Sequence, residues 1–302
     1  MKEIIAEMDD FPPIVLMTDF GLADPFAGIL KGVIAQIAPR VSVIDLTHEI
    51  PAGDVRRAAI TLWQAYRYFP PGTVFLCVVD PGVGSSRQPI LLQSGGYTYI
   101  GPDNGLFTFV VKKEFIGWQL ENAAFRLTPT SATFHGRDIF APAAAHFARG
   151  VQASLPGQAD NFGPLLADIV RLPSPRLENI ASGGLRGEVL FPDRFGNLLT
   201  SLGCFQQKGE ELIFSPWVGE AVGGCFPSKK VRIQLENGDS LTLLTTFDEI
   251  PNGECRNSSS ARNYRSAAAL IGSSGLLEIA AKGRSAATLL GLQSGAPLIL
   301  TT

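Results

Sequence analysis

Residues 13–38 read PIVLMTDFGLADPFAGILKGVIAQIA. PIVLMTDF is a short apolar run, rich in branched side chains and closing on polar ones, the pattern of a strand buried on both faces. Asp24-Pro25 then opens PFAGILKGVIAQIA, whose apolar residues recur at helical spacing. This predicts a helix capped by Asp24 with a proline in its first turn. The unit repeats along the chain: VSVIDLT is a second strand, DVRRAAITLWQAYRYF a second helix closed by Pro70-Pro71-Gly72, TVFLCVV a third strand, and RDIFAPAAAHFARG a later helix ending at Gly150. Strands alternating with helices predict an α/β domain over residues 12–165 with a mostly parallel sheet. Ligands of such sheets lie outside the carboxyl ends of the strands, and there the reading places Asp19, Asp45 and Asp80.

Beyond this the pattern changes. Residues 151–183 are rich in proline and glycine and poor in periodicity, so 166–183 reads as linker. From Gly184 the runs LRGEVLF, NLLTSL, ELIFS, KKVRIQLE, DSLTLLTTF, AALIG and LLEIAA are strand-like, and ENGD supplies an Asn-Gly hairpin turn. Residues 184–302 are therefore expected to form a small antiparallel β domain. The 302 residues are enough for two such cores, with 45% hydrophobic and 18% charged residues and a formal charge of -3. That charge offers no electrostatic footprint for nucleic acid or an anionic membrane. There is no apolar stretch of membrane-spanning length, and MKEIIAEMDDFPP lacks the apolar core of a secretory signal. Cys77, Cys204, Cys225 and Cys255 show no CxxC spacing, which fits a reducing cytoplasm and neither a zinc site nor a disulfide framework.

VVDPGVGSSRQP, residues 78–89, carries Asp80 and Arg87 on either side of a glycine-rich turn at the end of the third strand. It lacks the Gly-Lys-Ser/Thr of a P-loop, so a triphosphate cradle is excluded. Asp19 could accept hydrogen bonds from vicinal hydroxyls or be a turn aspartate; Asp24 could face a ligand or simply cap its helix. Of three histidines, His135 in FHGRD precedes a helix and is the candidate general base. His146 reads as a partly buried helix residue and His48 as a loop-ordering one. His135 and Asp138 lack a third nearby ligand for a metal. FPDRFGNLLT offers Asp193, Phe195 and Asn197: a carboxylate, an aromatic face and an amide able to read a base edge. Phe247 could be the second face around a purine, or both rings could be ordinary β-domain residues. Ser273 and Ser274 form a small turn with donors for a carboxylate. GPDNGLF reads as a structural turn.

Taken together, TDFGLADPF, DLTHEIP, VVDPGVGSSR, GPDNGLF, FHGRDIFAPAAAH, DRFGNLLT and IGSSGLLEIA resemble, in this order, the S-adenosyl-L-methionine (SAM) hydroxide adenosyltransferase family, also called SAM hydrolases and related to the SAM-dependent fluorinase and chlorinase. The resemblance implies an N-terminal α/β domain and a C-terminal β-barrel domain, assembled as homotrimers with sites between subunits. It implies that Asp80, Arg87 and His135 position and activate a water or hydroxide, and that Asp19 and Asp193 bind the ribose hydroxyls. Phe195, Asn197 and Phe247 would hold the adenine, while Asp24, Ser273 and Ser274 would face the methionine amino and carboxylate groups. SAM would be the substrate, with no cofactor. The chain departs from the family pattern in a long polar segment, residues 254–267, and in Lys282-Gly283, where an asparagine is expected near the adenine.

The implied reaction is hydrolysis of SAM to adenosine and L-methionine. The sulfonium makes ribose C5′ electrophilic and leaves as a neutral thioether, so only an oxygen nucleophile held in line is required. Halogenation is the first rival, but an anionic Asp80 would repel a halide at short range. A non-catalytic SAM or nucleoside sensor is the second, and the presence of all three polar residues argues against it.

Overall fold

The computed structural model describes residues 11–150, 162–252 and 266–302. The chain divides into two compact units, Met1–Leu172 and Pro173–Thr302. In the first, β1 (Ile14–Thr18), β2 (Val43–Thr47), β3 (Val74–Val78), β4 (Pro89–Ser94), β5 (Tyr97–Pro102) and β6 (Ile116–Gln119) form one sheet in the order β2-β1-β3-β5-β4-β6. The pairs β1–β2, β1–β3 and β3–β5 are parallel; β4 runs antiparallel to both β5 and β6. Every residue of β1 and β3 is buried, as their unbroken apolar runs require. Helices α1 (Phe26–Ile37), α2 (Val55–Ala65) and α3 (Ala141–Ala148) accompany the sheet. Leu30, Val33 and Ile34 of α1 and the alanines of α3 join Ile14, Leu16, Leu76 and Val78 in one core.

Three local expectations change. Pro25, and not Asp24, sits at the N-cap of α1, with no side-chain cap, and Asp24 is exposed. Asp45 lies inside β2, paired in register with Leu16, so it is not at a strand end. A wide π turn over Gly136–Phe140 leads into α3. Asp54 does cap α2, accepting from Arg57 N at 2.9 Å.

The second unit is almost entirely β. It holds β7 (Leu177–Asn179), β8 (Leu185–Pro192), β9 (Leu198–Thr200), β10 (Phe205–Lys208), β11 (Glu211–Phe214), β12 (Gly224–Pro227), β13 (Arg232–Leu235), β14 (Ser240–Thr242), β15 (Ala267–Ile271), β16 (Leu277–Ala281) and β17 (Pro297–Thr301), with a short helix α4 (Ala286–Leu290). The main sheet runs β14-β13-β17-β8-β9-β16-β15, all antiparallel. A bridge from Leu243 to Ala269 joins its two ends, so the sheet nearly closes into a barrel. Leu185, Val189, Leu198, Ile233, Ile279 and Leu298 fill it. β7 lies in the stretch read as linker and pairs with β8. The run DSLTLLTTF is strand only as far as Thr242, and Phe247 belongs to a 3₁₀ turn, Phe247–Glu249. Most of the polar segment 254–267, with Cys255, falls outside the described residues.

Candidate active site

Asp80 follows the end of β3, and the glycine-rich turn brings Arg87 back to it. Val83 N donates to Asp80 O at 3.2 Å, Ser85 N and Oγ donate to Gly82 O at 3.0 and 2.6 Å, and Arg87 N donates to Ser85 Oγ at 3.3 Å. Arg87 Nε then donates to Asp80 Oδ1 at 2.9 Å and Nη2 to Asp80 Oδ2, a two-pronged pairing of guanidinium and carboxylate. The side chains are only 9% and 5% exposed. Nη2 also donates its other hydrogen to His135 Nδ1, with the two nitrogens 2.7 Å apart. Gly84 makes this approach possible. Its φ is +78°, and a Cβ there would lie 2.7 Å from Ala132 O, in the stretch leading to His135. The Arg87 guanidinium also sits 5.2 Å from the ring centroid of buried Phe140. Its remaining nitrogen, Nη1, is buried with no partner among the described residues.

These directions fix the protons. An arginine nitrogen only donates, so His135 Nδ1 accepts and the neutral ring carries its hydrogen on Nε2. Burial, and then the positive charge of Arg87, lower the His135 pKa below its ordinary value, so the neutral form prevails near neutral pH. The geometry thus makes His135 an acceptor for Arg87 and a donor through Nε2, instead of a ready general base. Asn104, read from the sequence only as part of a turn, donates from Nδ2 to Val79 O at 2.9 Å and holds the residue before Asp80. No spacing rule marks it, because the contact spans 25 residues.

Asp19 follows β1, the strand next to β3 in parallel register, so both carboxylates stand at the same end of the sheet. Asp19 Oδ2 accepts from Gly53 N at 2.8 Å, and Oδ1 has no partner among the described residues. Asp138 is committed elsewhere. Burial would raise its pKa, but hydrogen bonds from Arg137 and from Ser131 N lower it on balance. His146 packs edge-on against Phe125 at 5.1 Å. Among the described residues no three His, Cys, Asp or Glu side chains gather as metal ligands would.

The second unit carries the other candidates. Asp193 is locked in a turn: Oδ1 accepts from Phe195 N at 2.8 Å and Asn197 N at 2.9 Å, and Oδ2 from Asn197 Nδ2 at 3.0 Å. Phe195 is 78% exposed and Phe247 55%. Ser273 is exposed and Ser274 buried, both in the turn between β15 and β16. Glu278, which the sequence reading passed over, lies on β16 with its pKa raised by burial and by the charge of Asp193. Lys282, standing where an asparagine was expected, donates to Asp248 O at 2.8 Å and Oδ1 at 3.1 Å, tying down the turn that bears Phe247.

The SAM hydroxide adenosyltransferase N-terminal domain matches residues 14–157, and the C-terminal domain of the same family matches residues 187–299. An (R)-S-adenosyl-L-methionine hydrolase of Thermus thermophilus is 37% identical over 306 residues, covering 95% of this chain and 99% of that protein. A protein of the same name from Salinispora arenicola is 43% identical over 63% of this chain and 72% of its own. A fluorinase of Actinoplanes sp. is more distant, at 28% over the same two shares. A crystal structure of an uncharacterized conserved protein from Thermotoga maritima, 28% identical, superposes with a TM-score of 0.76 over 96% of this chain and 100% of that one. The resemblance in the motifs is thus matched along both units, and the chain belongs to the SAM hydroxide adenosyltransferase family.

Proposed function

We infer that this protein is a hydrolase that converts SAM to adenosine and L-methionine by in-line attack of a water or hydroxide on ribose C5′. The observation that carries the reading is the Arg87 fork. Arg87 holds Asp80 and His135 through Nε and Nη2, gathering a carboxylate, a cation and an imidazole at one place. That cluster would steady an oxygen nucleophile, with Asp80 accepting one of its protons and His135 donating from Nε2. The nucleophile then develops hydroxide character in a pocket that is charged but locally neutralised, an arrangement that stabilises the transition state more than the bound water. No step needs a proton from His135 to reach the leaving group, because the thioether departs neutral.

Asp19 and Asp193 are the carboxylates for the ribose hydroxyls, Phe195, Asn197 and Phe247 the adenine contacts, and Asp24, Ser273 and Ser274 the methionine contacts. The open Oδ1 of Asp19 and the exposed rings of Phe195 and Phe247 support these roles. SAM is consumed as substrate and no cofactor is invoked. A homotrimer completes the reading, supported by large apolar side chains left on the surface, Phe26, Phe195 and Phe247 among them. The free thiols of Cys77 and Cys225 support a reducing compartment such as the cytoplasm; no helix among the described residues is long and apolar enough to cross a membrane. Asp80 sits where a halide would need an uncharged pocket, which favours water over halogenation.

Incubating the protein with SAM in ¹⁸O-water and analysing the products by mass spectrometry tests the assignment. Label in adenosine and none in methionine is expected. Unlabelled adenosine, a halogenated nucleoside when chloride is supplied, or binding of SAM with no product at all would each overturn it.

A further inference from the structure

We propose that His48 is a positioning residue that, through Thr18, aims the Asp19 carboxylate; the proposal rests on the reading of Asp19 as a substrate-binding group. Thr18 closes β1 and is completely buried, and His48 is buried beside it. Thr18 Oγ1 lies 2.8 Å from His48 Nδ1, His48 Nε2 lies 3.1 Å from Asp45 Oδ1, and Lys31 Nζ donates to Asp45 Oδ2 at 2.6 Å. The Asp45 carboxylate beside Nε2 favours the hydrogen on that nitrogen through its charge, although the contact lacks the alignment of a hydrogen bond, and Nδ1 then accepts. The Thr18 hydroxyl must therefore donate to His48, which leaves its oxygen to accept from Phe20 N at 3.2 Å.

Asp19 is the residue enclosed by this chain. Thr18 before it and Phe20 after it are tied to the same hydroxyl. The backbone adds Gly21 N to His48 O at 2.8 Å and Ile50 N to Thr18 O at 3.4 Å, and Gly53 N grips Asp19 itself. The segment running from Asp45 in β2 to Gly53 thus fixes both flanks and one oxygen of Asp19 while leaving Oδ1 for a ligand. A buried imidazole is a costly way to pack a loop, since both nitrogens need partners; an apolar residue would fill the space more cheaply. Thr18, His48 and Asp45 also have the composition of a nucleophile, base and orienting acid. Complete burial of Thr18 rules out attack on a substrate and leaves alignment as the use of the constellation.

Thr18→Val removes the hydroxyl at nearly constant volume, and Thr18→Ser keeps it. Thr18→Val should raise KM for SAM about 5- to 30-fold, the equivalent of losing one or two hydrogen bonds, with kcat within about twofold. Thr18→Ser should restore KM, and Asp45→Ala, at the half-exposed outer end, should give a smaller rise in the same direction. In an Asp19→Ala background, Thr18→Val should add nothing further, because its effect passes through Asp19. Equal multiplication of KM by Thr18→Val in both backgrounds would overturn the proposal. So would an unchanged KM in Thr18→Val, or, should that variant fail to fold, in Asp45→Ala, whenever Asp19→Ala itself raises KM. An Asp19→Ala variant of normal KM would instead remove the reading of Asp19 on which the proposal rests.

Discussion

Gly84→Ala is the perturbation that most directly tests whether the Asp80 turn and the His135 stretch must touch. The new methyl meets Ala132 O at 2.7 Å, against 3.4 Å for ordinary contact, so the two segments must part by about 0.7 Å. Holding alanine at a φ of +78° adds strain of about 1–2 kcal/mol. A misplacement of about 1 Å between groups acting on one nucleophile costs on the order of 10²-fold in rate, so a shift of this size should lower kcat by about 10- to 100-fold. Gly96→Ala separates the two effects. Gly96 has a φ of +85° but no atom within 4 Å of its added methyl, and it lies in the β4–β5 hairpin. It should lose similar stability and keep its turnover. Adenosine release at saturating SAM, followed by liquid chromatography beside thermal denaturation of both variants, gives the comparison. Equal kcat in the two variants would refute the claim that close apposition of these loops sets the rate.

Asp80→Asn and Arg87→Lys should each lower kcat on the order of 10²–10³-fold, the scale of losing one aligned electrostatic partner, while calorimetry still detects SAM binding. Burial and Arg87 lower the His135 pKa, so protonation should break the Nδ1 contact only below the ordinary value of 6.5. An acid limb in the kcat profile is expected there and should vanish in His135→Asn. The unfolded chain takes up that proton first, so stability should also fall as pH drops from about 6.5 through the lowered value. Phe195→Ala and Phe247→Ala should each weaken adenosine binding by about 1–3 kcal/mol, the scale of one base stack, with turnover at saturation largely retained. Treatment with EDTA followed by desalting should leave the rate of adenosine release unchanged.

Much of the architecture can be read from local pattern. β1 and β3 are unbroken apolar runs because they are buried on both faces. Hydrophobic periodicity marks α1 and α2, and the Asn-Gly turn marks the β13–β14 hairpin. The β4–β5 hairpin escapes a reading tuned to parallel units, although Gly95-Gly96 between two apolar runs is a recognisable hairpin signal. The cap of α1 differs because Pro25 itself occupies the N-cap and Asp24 stays in solvent. Motif order marks Asp80, Arg87 and His135 as candidates for one site, and the three side chains do meet, but it does not give the direction of their hydrogen bonds. That direction depends on contacts 48 residues apart and on burial, which no local spacing encodes. The same holds for Asn104, for the pairing of Thr18 with His48, and for the grip of Lys282 on the Phe247 turn.

The turn around Asp193 has a thermodynamic consequence. Three donors from Phe195 and Asn197 immobilise its carboxylate before any ligand arrives, so its rotational freedom is surrendered when the chain folds. A partner meeting this oxygen pair therefore encounters a rigid acceptor, and association there gives up no torsional entropy from the protein side. Glutamate, one methylene longer, could not close the same turn, which makes side-chain length as decisive as charge at this position.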